Sequence, residues 1–281
     1  TFKDSYGILL RWFDPQEVFR LIEKYRATRF IGVPTMYQIL LNHPVADKYD
    51  TSSLERCSIS AAPVTEELYR AFTAKFNCRM YEGYGLTEAS PTVAVERPSM
   101  PRKTGSTGIP IPGVAVKIVD HQDQEVPVGK QGEIVVRGPN VMLGYYKRPA
   151  ETAAALRGGW LHTGDVGCLD EDGYLFITDR IKDMIIKGGY NIYPSEIEGC
   201  LEAHPDIGEA AVIGIPDEKY GEVIMAFVVQ MPGRQLTEDA VIEFVKARMT
   251  PFKAPSRVKF VDGLPKSLVG KVLKKELRKI G

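Results

Sequence analysis

Asp179-Arg180-Ile181-Lys182-Asp183-Met184-Ile185-Ile186-Lys187-Gly188-Gly189-Tyr190-Asn191-Ile192-Tyr193-Pro194-Ser195-Glu196-Ile197-Glu198 is the stretch on which the reading of this chain turns. The apolar run Met184 to Ile186 predicts a strand, and Gly188-Gly189 directly after it lets the backbone reach positive φ and another molecule approach closely. A helix is predicted next. Pro194 suits its first turn, Glu196 and Glu198 favour its positive end, and Ile197 with Leu201 gives the i, i+4 apolar spacing. That accounts for both glutamates without a catalytic role. The polar opening Asp179 to Lys182 lies between two apolar strands, and it reads as a flexible connector between two moving bodies.

The chain has 281 residues and is 44% hydrophobic, room for one large domain or two ordinary ones with buried cores. Lys plus Arg (36) balances Asp plus Glu (36), so no global field favours nucleic acid or an acidic membrane. Cys57, Cys78, Cys168 and Cys200 form no Cys-x-x-Cys pair, and His43, His121, His162 and His204 have no zinc-like spacing. The expectation is a reduced, cytoplasmic protein, with peripheral membrane association left open. No apolar run approaches the ~20 residues of a spanning helix. Thr1 opens neither a signal peptide nor an initiator methionine, so the chain reads as a piece of something longer.

Three regions are predicted. In residues 1–100 strands (29–33, 56–60, 80–84) alternate with helices, one opened by Asp14-Pro15 and one capped by Thr65, implying a parallel sheet with ligands at the strand ends. Residues 101–180 hold short β runs (114–119, 133–137, 166–169, 174–178) separated by Gly, Pro and Asp turns, a barrel-like or curled antiparallel subdomain. Residues 181–281 alternate strands (183–187, 210–215, 223–229, 257–261) with helices (195–203, 238–249), a compact α+β domain. The fold class is therefore α/β and α+β: part of a larger α/β domain with a barrel-like subdomain, then a smaller α+β domain after a hinge.

Six segments stand in order along the chain: Tyr84-Gly85-Leu86-Thr87-Glu88, Gly132 to Gly138, Leu143-Gly144-Tyr145-Tyr146, Trp160-Leu161-His162-Thr163-Gly164-Asp165, the opening stretch, and Pro265 to Lys271. Together they resemble the adenylate-forming enzymes that ligate carboxylic acids to coenzyme A, most closely the fatty acyl-CoA synthetases, in their C-terminal half only. The resemblance implies two half-reactions: a carboxylate and ATP give acyl-adenylate and pyrophosphate, then the thiol of coenzyme A displaces AMP. It implies ATP, Mg2+ and coenzyme A as small-molecule co-reactants, with no nucleic-acid partner and no transmembrane segment; a homodimer is compatible with it.

By resemblance Lys271 neutralises charge as the carboxylate attacks the α-phosphate, Glu88 holds magnesium, and Thr87 offers a hydroxyl to a phosphate. Tyr84 stacks on adenine within the Gly83 to Gly85 segment, and Ser60-Ala61-Ala62-Pro63 lines the other face of the base. Asp165 accepts from the ribose hydroxyls and Arg180 donates to ribose or phosphate. Lys182 is the hinge, and Gly188, Gly189 and Tyr190 face the pantetheine channel. On spacing alone, Lys266, Lys271, Lys274 and Lys275 read as a solvated basic face, Tyr84 as a half-buried strand aromatic and Asp165 as a turn cap. Glu133 receives no role. Arg102 to Gly108 lacks the Gly-x-x-x-x-Gly-Lys pattern and reads as a turn. The family's Ser/Thr/Gly-rich phosphate loop is absent from this sequence, so the chain alone is expected to be inactive. Rival readings are a ligase for an aryl or amino acid and a non-catalytic nucleotide-binding fragment.

Overall fold

In the computed structural model, residues 6–59, 64–267 and 270–281 are described, and they divide into two compact units. The first takes the chain up to Val114 together with Gly138–Met142 and Gly173–Leu175; the second takes Ala115–Arg137, Leu143–Asp172 and Phe176–Gly281.

The first unit holds helices α1 (Pro15–Tyr25), α2 (Pro34–Asn42) and α3 (Glu66–Phe76) and strands β1 (Arg29–Gly32), β2 (Arg56–Ile59), β3 (Arg79–Gly85), β4 (Thr92–Val95) and β5 (Ile109–Pro110). Both predicted helix starts are present. The Asp14 carboxylate accepts from Glu17 N at 3.0 Å, and Thr65 Oγ1 accepts from Leu68 N at 3.2 Å, each satisfying an amide that the first helical turn leaves open. Phe19, Tyr37, Phe72, Phe76 and Met80 fill the core against the sheet. The sheet is mixed: β1, β2 and β3 pair in parallel as predicted, whereas β4 and β5 add antiparallel strands. Their shortness and the Pro91, Pro98 and Pro110 around them hid that extension from the sequence.

The second unit begins with β6 (Ala115–Val119), β7 (Gly132–Arg137), α4 (Pro149–Ala155), β8 (Leu161–Leu169) and β9 (Leu175–Arg180), whose strands form a four-stranded sheet in the order β6-β7-β8-β9. It continues with β10 (Ile185–Lys187), β11 (Tyr190–Ile192), α5 (Pro194–Glu202), β12 (Ile207–Asp217), β13 (Gly221–Gln230), α6 (Glu238–Lys246), β14 (Arg257–Phe260) and α7 (Lys274–Leu277). Here the sheet runs β11-β10-β13-β12, with β14 parallel on β13. Ile197 and Leu201 of α5 and Val241 and Val245 of α6 pack on one face of this sheet.

Three details of the opening stretch differ from expectation. Asp179 and Arg180 end β9 rather than forming a loose connector, and Ile181–Asp183 make a single 3-10 turn. Asp179 accounts for this: its carboxylate accepts from Ser195 N at 2.9 Å and Arg180 N at 2.7 Å, tying the strand end to the start of α5. Gly188-Gly189 is a two-residue hairpin turn, with Lys187 paired to Tyr190 and φ of +57° and +82°. Consecutive positive φ values suit the right-handed twist of flanking strands, so the pair is glycine for the turn's own sake.

Candidate active site

The C-terminal end of β3 carries Gly83, Tyr84 and Gly85 and leads into a 3-10 turn, Thr87–Ala89. Gly85 cannot be anything larger, since a Cβ there would stand 1.9 Å from the Pro91 carbonyl oxygen. The turn is held from residues 138–142: Asn140 Nδ2 donates to the carbonyls of Ala89 at 2.9 Å and Thr92 at 2.8 Å, and Met142 N donates to Glu88 O at 2.8 Å. Thr87 is exposed; Tyr84 and Glu88 are half-buried. Ser60, Ala61, Ala62 and Pro63 lie outside the described residues.

In the second unit, Asp165 is buried at 3% exposure, and Arg180 Nε meets its carboxylate at 2.8 Å. Lys271 stands on a turn in which Ser267 N donates to Lys271 O at 2.8 Å and Gly270 takes a φ of +79°. Its ammonium pKa lies below the ordinary lysine value. Desolvation is the largest cause, the charges of Arg180 and Lys182 add to it, and Asp165 and Asp183 oppose. Although the residue as a whole is exposed, those four influences place its head group in the field of the Asp165–Arg180 pair. The charges that act on it are thus Arg180 and Lys182 on one side and Asp165 and Asp183 on the other, and Asp183 is also held by Arg278 at 3.0 Å.

The other lysines of that run are engaged elsewhere. Lys266 pairs with Glu209 at 2.6 Å and Lys274 with Glu198 at 2.8 Å. Lys182 is exposed, and Arg278 reaches its carbonyl at 3.4 Å and the Asp183 carboxylate at 3.0 Å. Gly188, Gly189 and Tyr190 are exposed at the hairpin tip, where the Tyr190 ring meets Phe252 edge-on at 5.2 Å.

Sequence reasoning missed two clusters. Glu133, given no role, joins Asp123, Arg157 and His162 beside the Thr163-Gly164-Asp165 turn. Asp123, Glu133 and His162 could offer ligand atoms to a metal, all within 4.8 Å of one another. Arg157 already spans the two carboxylates, at 2.9 Å to Asp123 and 3.3 Å to Glu133, so the protein itself offsets part of their charge. The second cluster is in the first unit: Arg102, inside the segment read only as a turn, pairs with Glu66 at 2.7 Å and Glu82 at 3.3 Å and lies 3.7 Å over the Tyr69 ring. It borders a cavity of about 220 Å3 that Tyr84, Thr87 and Glu88 do not line. No local pattern marks either cluster, because the partners come from segments far apart in sequence.

The profile of AMP-binding enzymes matches residues 8–146, and that of the AMP-binding enzyme C-terminal domain matches residues 196–271. The chain belongs to this adenylate-forming family. It is 43% identical over 271 residues to a long-chain-fatty-acid–CoA ligase of Bacillus subtilis (strain 168), covering 96% of this chain and 48% of that protein. It is equally 43% identical over 278 residues to a feruloyl-CoA synthase of an Amycolatopsis species, covering 99% and 56%. Among solved structures, ATP-bound MatB from Rhodopseudomonas palustris superimposes with a TM-score of 0.88 at 36% identity, over 97% of this chain and 54% of that one. The chain therefore spans about half the length of the relatives it matches. Among the described residues no helix is long and apolar enough to cross a membrane.

Proposed function

We propose that this chain supplies the adenylate-handling half of an ATP-dependent acid–CoA ligase acting on a fatty acid. The observation carrying this reading is the buried Asp165 carboxylate held by Arg180 at 2.8 Å, with the Lys271 ammonium under the influence of both charges. Joining a carboxylate to a nucleotide α-phosphate brings two anions together, and a preorganised cation lowers that barrier. In this reading Lys271 takes that task. Asp165 accepts from the ribose hydroxyls, and Arg180, already held by Asp165, directs its remaining N–H groups to ribose or phosphate. Tyr84 offers a ring face to adenine and Thr87 a hydroxyl to phosphate. Glu88 fits magnesium as one hard oxygen donor, because that ion commonly takes one or two protein carboxylates beside phosphate oxygens and water; when bound, the ion would offset phosphate charge.

For thioester formation the lysine-bearing surface has to leave and open a path for the thiol. Lys182, exposed in a single 3-10 turn, serves as the hinge, and Gly188, Gly189 and Tyr190 line the pantetheine path. Calorimetry of the chain with AMP tests the reading: wild type should bind and Asp165→Asn should bind at least about tenfold more weakly, a charged hydrogen bond being worth that much. Absence of wild-type binding overturns the reading for this chain. The matching identity to a feruloyl-CoA synthase favours an aryl acid as the second substrate reading. Pyrophosphate exchange with palmitate and ferulate, in the protein carrying this chain, separates the two.

A further inference from the structure

In β8, Val166 pairs with Glu133 of β7, and His162 pairs with Val135. Two steps along β7 thus correspond to four along β8, so Thr163, Gly164 and Asp165 bulge out of the ladder opposite Ile134. Bulges of this kind re-aim a side chain, here that of Asp165. Left alone, the bulge would strand buried polar groups. The Thr163 hydroxyl and the Gly164 amide are instead tied to β7, and the Asp165 amide to Thr163. Thr163 Oγ1 donates to Ile134 O at 2.7 Å and accepts from Asp165 N at 3.1 Å, while Gly164 N donates to Glu133 Oε1 at 3.1 Å. Gly164 has a φ of +70°, the left-handed conformation that turns its N–H toward that carboxylate.

Glu133 is itself fixed at its other oxygen. His162 Nδ1 lies 2.8 Å from Oε2, and because a carboxylate accepts, the ring donates. Arg157 Nη2 donates to the same oxygen at 3.3 Å while binding Asp123 through Nε at 3.0 Å and Nη2 at 2.9 Å. Glu133 and His162 side chains are 12% and 6% exposed, so these bonds are largely shielded from water. A guanidinium, an imidazole and a bulge amide converge on one carboxylate whose neighbour in the chain, Ile134, receives the bulge's hydroxyl.

We propose that Glu133 is a positioning residue for the nucleotide ribose: it pins the Thr163-Gly164-Asp165 bulge so that Asp165 is aimed at the sugar hydroxyls with its Arg180 partner in place. This rests on the reading of Asp165 as the ribose acceptor. Two of the contacts, to His162 and Arg157, fix the rotamer of Glu133; the third transmits that fixity to the bulge. Asp123 acts one step further out, through Arg157.

The test compares AMP with 2′,3′-dideoxy-AMP by calorimetry on the whole chain, in wild type, Glu133→Ala, Glu133→Gln and Asp165→Asn, with thermal unfolding of each. Wild type should prefer AMP by about tenfold or more, the loss expected for hydrogen bonds to a charged acceptor. Glu133→Ala should pull that ratio toward one by weakening AMP and leaving the dideoxy analogue unchanged, as Asp165→Asn does. Glu133→Gln keeps an acceptor for Gly164 N, so part of the preference should return. A merely structural role would lower the melting temperature and leave the ratio intact, which overturns the proposal while Asp165 keeps its role. If Glu133→Ala does not fold, a partly or fully kept ratio in Glu133→Gln together with a lost one in His162→Ala or Arg157→Ala still supports it, and wild-type ratios in all three overturn it. No preference in wild type, or no AMP binding, removes the ribose reading and the proposal with it.

Discussion

Lys271 and Lys266 lie five positions apart in one basic run, and their surroundings separate them. Lys266 is an exposed partner of Glu209, an ion pair worth at most ~1 kcal/mol, whereas Lys271 is the lysine near Asp165 and Arg180. In the protein carrying this chain, Lys271→Ala should slow acyl-adenylate formation, read by pyrophosphate exchange, by about 10²- to 10³-fold, the loss typical of a transition-state charge partner. Lys266→Ala should stay within about threefold of wild type. The reverse pattern would exchange their roles. The depressed pKa also has a chemical readout: at mildly alkaline pH more of Lys271 is the free amine than of an ordinary lysine, so it should be acylated by a small electrophile before Lys266. Peptide mapping after brief labelling checks this.

One buried carboxylate and one that is paired near the surface set a pH dependence of stability. Glu96, following β4, is pushed up to about 7, first by burial and, in the same direction, by the Glu82 charge, while the Glu82 backbone amide and Arg102 pull it down. Its folded value lies above the unfolded 4.5, so the folded chain holds that proton more tightly. The stabilisation is complete below pH 4.5 and is lost as pH rises through about 7. Glu66 works oppositely: Arg102 and Arg70 hold it down to about 2, so its contribution stands above 4.5 and fades as pH falls toward 2. Between pH 5 and 8 Glu96 dominates, and denaturant unfolding should show a loss on the order of 2 kcal/mol, flattened in Glu96→Gln. The β10–β11 hairpin makes a second test. Gly189→Ala meets nothing within 4 Å, yet its φ of +82° should cost about 1 kcal/mol, seen as a drop in melting temperature. A stability equal to wild type would mean that the turn relaxes. Any loss of thioester formation in bulkier Gly189 variants has to be judged against that strain.

For the molecule as a whole the proposed two half-reactions require the Lys271 surface to leave the nucleotide. Lys182→Pro removes a donor and fixes φ in the proposed hinge, so it should slow thioester formation far more than adenylate formation, measured by single-turnover assays of each step. Equal loss of both would place the pivot elsewhere. Much of the architecture was legible in sequence because it rests on short-range signals: Asp14 and Thr65 as caps, Pro194 at a first turn, continuous apolar runs in β12 and β13. The binding residues were legible only through family motifs. What escaped depends on partners far apart in the chain, as when Glu133 meets His162 across 29 positions or Arg102 meets Glu66 across 36. The β8 bulge carries one more consequence. Side chains along a strand alternate between faces, so losing a single residue from Thr163 to Asp165 would turn the carboxylate to the opposite side of the sheet, while losing two would restore the ladder and erase the projection. Here the length of the segment is itself under chemical constraint, and one-codon deletions should be as damaging as replacing Asp165 outright.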